Sequence, residues 1–215
     1  MDSKIIKLAI AILFFNVSAN AQTKADLFGN SYLPVTFLGL DFTKASYIGD
    51  PGTVSPSEMK NLFNSINILM ISEPKKYDFK TTFRKDKMES NISVTEERNK
   101  TVDQDNLLTF DSKKYKSLDE KDISAMIKNY KFDSGNKGVG LVFIMEGLNK
   151  MIEQASMWVT FVNMDTKEII FTQRIEGKAA GFGFRNHWAG AIYSALKEID
   201  SHQFKEWKKA NVPSK

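Results

Sequence analysis

The amino-acid sequence predicts an α/β (α+β) fold. It has a single mixed β-sheet of about five to six strands, including a C-terminal hairpin, flanked by three main helices. Three observations lead there. Two near-continuous apolar runs, VTFLGLDF from Val35 and VGLVFIME from Val139, suit strands covered on both faces. Three apolar stripes at helical spacing lie far apart along the chain, so they must be buried on a shared sheet. Near the C terminus, two apolar stretches are joined by the short polar Met164-Asp165-Thr166-Lys167, as in a hairpin.

The elements follow in order. Residues 1–21 have the parts of a secretory signal: Lys4 and Lys7, an apolar run over 8–15, and Ala19-Asn20-Ala21 before Gln22. That run is too short to span a bilayer, which takes about 20 residues. The first strand covers 35–42 and ends toward the turn Asp50-Pro51-Gly52. Ser55-Pro56-Ser57-Glu58 then starts a helix: Ser55 caps, Pro56 suits the first turn, and Glu58 can close a capping box. Met59, Leu62, Phe63, Ile66, Leu69 and Met70 form its stripe.

Tyr77, Phe79, Thr81 and Phe83 alternate with polar residues and predict a half-buried strand. A further strand is expected over 89–95, and 96–116 carries little signal. A second capping box at Ser117-Leu118-Asp119-Glu120 opens a helix with Ile123, Met126, Ile127 and Tyr130. The strand from Val139 is the predicted centre of the sheet. The hairpin 154–163 and 168–174 follows, and Trp188, Ile192, Ala195, Leu196 and Ile199 mark a closing helix. Without repeats or linkers, 22–215 reads as one domain.

Composition narrows the function. There is no cysteine, so neither a disulfide nor a lipid-modified cysteine is available, and 16 Phe supply a core instead. The net charge is +4, and basic residues are interleaved with acids: 12 Lys/Arg against 10 Asp/Glu over 74–121. That is a solvated mixed surface, not a nucleic-acid stripe. The two histidines, His187 and His202, fit no metal motif, and neither GxSxG nor a P-loop occurs. No cofactor, metal site or catalytic residue is expected, and a non-enzymatic role is favoured.

The candidate site is the Gly-rich stretch 177–186, which feeds the closing helix. Gly181, Gly183, Arg185, Asn186 and His187 could hold an anionic group at the helix N terminus. Glu146, near the end of the central strand, is a further candidate ligand-binding residue. Phe182, Phe184 and Trp188 are candidate partner-binding aromatics if they are exposed. The plainer alternative is that small residues let the closing helix pack tightly.

The C-terminal half, with ASMWVTFVNMDTKEIIFTQRIEG and then AGAIYSAL, resembles TolB N-terminal-like and CsgG-like envelope domains. Asp165, Thr166, Glu168 and Gly177 take the places of that hairpin's motif, with Lys167 where the family often has Gly. The chain also resembles exported proteins of Bacteroidetes. The resemblance implies a mixed sheet flanked by helices, used for contact with envelope proteins in the periplasm. It implies no catalytic residue.

Overall fold

The computed structural model describes residues 22–111, 115, 117–133 and 135–213. The expected export signal lies outside the described residues. The elements in chain order are α1 (Lys24–Gly29), β1 (Val35–Asp41), β2 (Ser46–Ile48), α2 (Pro56–Ser72), α3 (Phe79–Thr82), β3 (Met88–Ser90), α4 (Ser93–Asn99) and β4 (Leu108–Thr109). They continue with α5 (Glu120–Lys128), β5 (Val139–Asn149), β6 (Gln154–Asn163), β7 (Ile169–Lys178), α6 (Gly183–Glu198), a π-helical turn over Ile199–Gln203, and α7 (Phe204–Asn211).

One mixed sheet of seven strands organises the molecule. β5 is its axis. β6 runs antiparallel along one edge of β5, and β7 runs antiparallel to β6. β1 and β2 share the other edge: β1 pairs in parallel from Val35↔Val139 to Asp41↔Ile144, and β2 from Ser46↔Gly147 to Ile48↔Asn149. β3 adds to β1 and β4 to β2, both parallel. The sheet exceeds the expected five to six strands because β2, β3 and β4 have only two or three residues each. Such pieces are too short to show a period.

The two faces of β5 bury different cores. Leu141, Phe143 and Met145 face a large cluster with Phe63 and Ile66 of α2 and Trp188 and Ile192 of α6. Val142 and Ile144 face a smaller one with Val94 of α4 and Ile123, Met126 and Ile127 of α5. The helix α6 packs very close to β7: a Cβ at Gly177 would lie 2.0 Å from the Ala191 carbonyl oxygen. Gly177 and the small residues of AGAIYSAL therefore do here what a tight helix–strand contact requires.

β1 bends at a bulge between Phe37 and Gly39. Gly39 sits at φ +95, and a Cβ there would lie 2.4 Å from the Thr95 hydroxyl oxygen. Side chains take over the hydrogen bonds that the bent strand cannot give to β3. Asn67 accepts from Leu40 N at 2.7 Å and donates to Leu40 O at 2.9 Å. Asn99 donates to Leu40 O and accepts from Phe42 N, and Thr95 donates to Leu38 O. Buried backbone groups are thus satisfied without a further strand.

The first capped helix, α2, starts where its capping signal puts it, and the second, α5, starts two residues later than expected. Ser55 accepts from Glu58 N at 3.2 Å. In α5 the cap is Asp119, two residues beyond Ser117, with Asp122 completing the box. Two expected strands change: 89–95 gives only the short β3 before α4 begins at Ser93, and 77–83 is not a strand. Phe79 and Phe83, four apart, satisfy both periods, and Asp78 decides for a helical turn by accepting from Thr81 N at 2.9 Å.

Candidate functional site

The Gly-rich stretch connects β7 to α6 and lies at the end of the sheet where β5 turns into β6. Gly181 and Gly183 have φ +125 and +74, so the loop uses backbone conformations that other residues adopt poorly. α6 begins without a side-chain cap at Phe182. The side chains scatter from there. Phe182 is 96% exposed. Phe184 is half-buried and stacks on Tyr47 with ring centroids 5.9 Å apart. Trp188 is only 2% exposed and belongs to the core, so the expectation of an exposed anchor there is corrected. Its position on the inward stripe of α6 faces it to the sheet.

Gly181, Gly183, His187, Phe182 and Phe184 line one shallow cavity of about 230 Å³ with Lys150. Arg185 is exposed, and its Nε donates to the neighbouring Asn186 at 3.2 Å. The imidazole of His187 lies edge-on to Trp188, with ring centroids 4.9 Å apart. Its Nε2 is buried without a partner among the described residues. Burial first, then the Lys150 charge, holds the imidazole pKa below its ordinary value.

Glu146 is not with them. It is the extra residue of a bulge in β5 between Met145 and Gly147, and its side chain is fully buried. It faces the side of the sheet away from α6. Tyr115 O–H donates to it in a short bond. Trp158 Nε1 donates at 2.8 Å, Ser156 Oγ at 3.3 Å, and Arg174 from Nε and Nη2 at 3.1 Å. Arg174 also donates from Nη1 to Glu176 at 2.6 Å. Burial and the Glu146 charge push the Tyr115 phenol above its ordinary pKa. Glu146 thus lies apart from Arg185 and His187, and its oxygens are occupied by its own neighbours. The bulge also restores phase, so that Leu148 again faces the core under α6.

A second buried carboxylate escaped notice as a site. Asp41, the last residue of β1, accepts from Arg98 Nε at 2.6 Å and Tyr130 O–H at 2.6 Å through Oδ2. Its Oδ1 accepts from Thr43 N at 2.8 Å and Thr43 Oγ1 at 2.5 Å. The Arg98 guanidinium lies over the Tyr130 ring, 4.2 Å from its centroid. Burial and the Asp41 charge raise the Tyr130 phenol well above its ordinary pKa. The signal was in the sequence: each of the two most apolar runs contains a single acid. A charge inside such a run needs a partner brought from elsewhere in the chain.

Among the described residues, no group of three or more His, Asp or Glu could hold a metal ion, and no helix is long and apolar enough to cross a membrane. No protein-family model matches the chain, and no curated protein matches it. One solved structure to which it is similar is that of a neuraminyllactose-binding hemagglutinin homolog from Helicobacter pylori. The TM-score is 0.30 and the identity 11%, over 85% of this chain and 92% of that chain. A likeness of that size leaves the function of this chain to be argued from its own residues.

Proposed function

We propose that the chain is an exported module of the cell envelope that binds another envelope protein, without catalysis, through the end of the sheet where Phe182 projects. The exposure of Phe182 carries this reading. Three more large apolar side chains are exposed on neighbouring segments: Phe110 after β4, and Met151 and Ile152 in the β5–β6 turn. Gly49 ties these segments together. Its N donates to Thr109 O at 2.9 Å, and Met151 packs against it. Lys150, in the same turn, shares a cavity wall with Phe182. Clustered apolar side chains in water mark a contact surface, and burying one aromatic of this kind contributes about 1.5–3 kcal/mol. The signal-like opening residues and the resemblance to TolB N-terminal-like and CsgG-like domains supply the setting.

A photo-crosslinking residue at position 182, expressed in the native host, tests this. A discrete adduct with one envelope protein is expected, reduced by Met151→Asp and absent from the same probe at Tyr32, which is also exposed. No adduct at 182, or the same adducts at 32, would overturn the reading.

A second reading has its own observation, the unpartnered Nε2 of His187 beside Lys150. On this reading the loop holds a small anionic ligand at the start of α6. A melting temperature that rises with inorganic phosphate in the wild type, but not in His187→Gln, would favour it.

A further inference from the structure

A larger cavity, of about 480 Å³, opens on the other face of the sheet, between α4 and the segment that follows α5. Its lining includes Ser93, Thr101, the cations Arg98 and Lys131 and the acids Glu97 and Asp133. Its size falls within the range of small-molecule sites. We propose that it binds a small anion carrying a carboxylate or a phosphate group, held between the Arg98 guanidinium and the Lys131 ammonium.

The topology favours this place. β1 is an inner strand, flanked by β3 and β5, and open α/β sheets bind ligands beyond the carboxyl ends of their strands. Asp41 is the carboxyl end of β1, and Arg98 is bonded to it.

Charge accounting favours an anion. Asp41 is saturated by Arg98, Tyr130 and Thr43. Glu97 pairs with Lys100. Asp133 accepts from Gly135 N at 2.9 Å and Asn136 Nδ2 at 2.8 Å. The acids of the lining are thus engaged, while Lys131 is exposed and forms no ion pair among the described residues. A guanidinium has five donors. Arg98 gives Nε to Asp41 and one Nη2 hydrogen to Thr43 Oγ1 at 3.1 Å, so donors remain. Its plane is already fixed by Asp41 and the Tyr130 ring, so a ligand would meet a fork whose rotamer freedom is already lost.

The test is a titration of the ¹⁵N-labelled protein, followed by amide chemical shifts. One arm uses inorganic phosphate, a second succinate, and glucose is the neutral control. Saturable shifts are expected at Ser93, Thr101 and Lys131 in at least one charged arm, and none with glucose. The stronger arm identifies the headgroup. Lys131→Gln should weaken binding about tenfold, as loss of one charge-assisted hydrogen bond does. His187→Gln should leave it unchanged, which separates this cavity from the Gly-rich loop. Arg98→Gln should abolish it if that variant folds, and Lys131→Gln decides the matter if it does not. Absence of shifts in both charged arms, equal shifts with glucose, or shifts indifferent to Lys131→Gln would overturn the proposal.

Discussion

The two buried carboxylates of the sheet are built from the same parts and finish differently. Asp41 and Glu146 each hold an arginine, a tyrosine and a hydroxyl side chain, and both side chains are fully buried. Around Glu146 the partners bond to one another or to further acids: Arg174 spends its outer nitrogen on Glu176, and Tyr115 also bonds Ser156 at 3.1 Å. Around Asp41 the arginine is fixed on one side and faces a cavity on the other. The difference teaches that a buried ion pair alone says little about function. Both arginines keep N–H donors, and what differs is that those of Arg98 open on a cavity.

The largest effect that could break this comparison is on stability. Arg98→Met leaves Asp41 buried with Tyr130 and Thr43 only, and loss of one member of a buried pair costs about 3–5 kcal/mol. Arg174→Met likewise leaves Glu146 with three donors, from Tyr115, Ser156 and Trp158, but the Arg174 side chain is 35% exposed against 17% for Arg98, so water screens its pair more and a smaller loss, about 1–3 kcal/mol, is expected. Urea unfolding of the two variants checks the order. Equal losses would show that the greater exposure of Arg174 does not weaken its pair.

A smaller effect sharpens it. Tyr130→Phe removes one of the donors to Asp41 Oδ2, and about 1.5–3 kcal/mol should follow from a hydrogen bond to a charged group. Tyr115→Phe should cost less, because Arg174, Trp158 and Ser156 still serve Glu146. If Tyr115→Phe proves the more damaging, the Glu146 cluster is the more dependent on one partner, and the contrast reverses.

These networks also show how far the sequence could be read. The strands from Val35 and Val139, the hairpin, and the helix starts near Ser55 and Asp119 were legible, because each rests on local period or capping. The pieces β2, β3 and β4 were not, since two or three residues carry no period and are strands only because β1 and β5 offer edges. Of the site, the Gly-rich loop was visible, and Phe182 only as an aromatic whose exposure the sequence left open. The partnership of Asp41 with Arg98 and Tyr130 spans 57 and 89 residues, and nothing local announces it. Trp188 was misjudged for the opposite reason: an aromatic beside exposed neighbours looks alike in sequence whether it faces water or the sheet.

The smallest effect concerns a half-buried base that lacks a counter-charge bonded to it. His187 is held below its ordinary pKa by burial and by Lys150, with Glu153 and the Gly181 carbonyl opposing. In the window just below the ordinary histidine value of about 6.5, the unfolded chain takes up a proton that the folded protein refuses. Folding stability must therefore fall as pH drops through that window, and be restored above it. His187→Gln removes this dependence. Unfolding free energies of wild type and variant should run parallel between about pH 7 and 9, then diverge below about pH 6.5 as the wild type declines faster. Parallel curves down to about pH 5 would mean that the imidazole protonates in place. The unpartnered Nε2 would then be accessible to water, and the case for a ligand at the start of α6 would lose its one distinguishing observation.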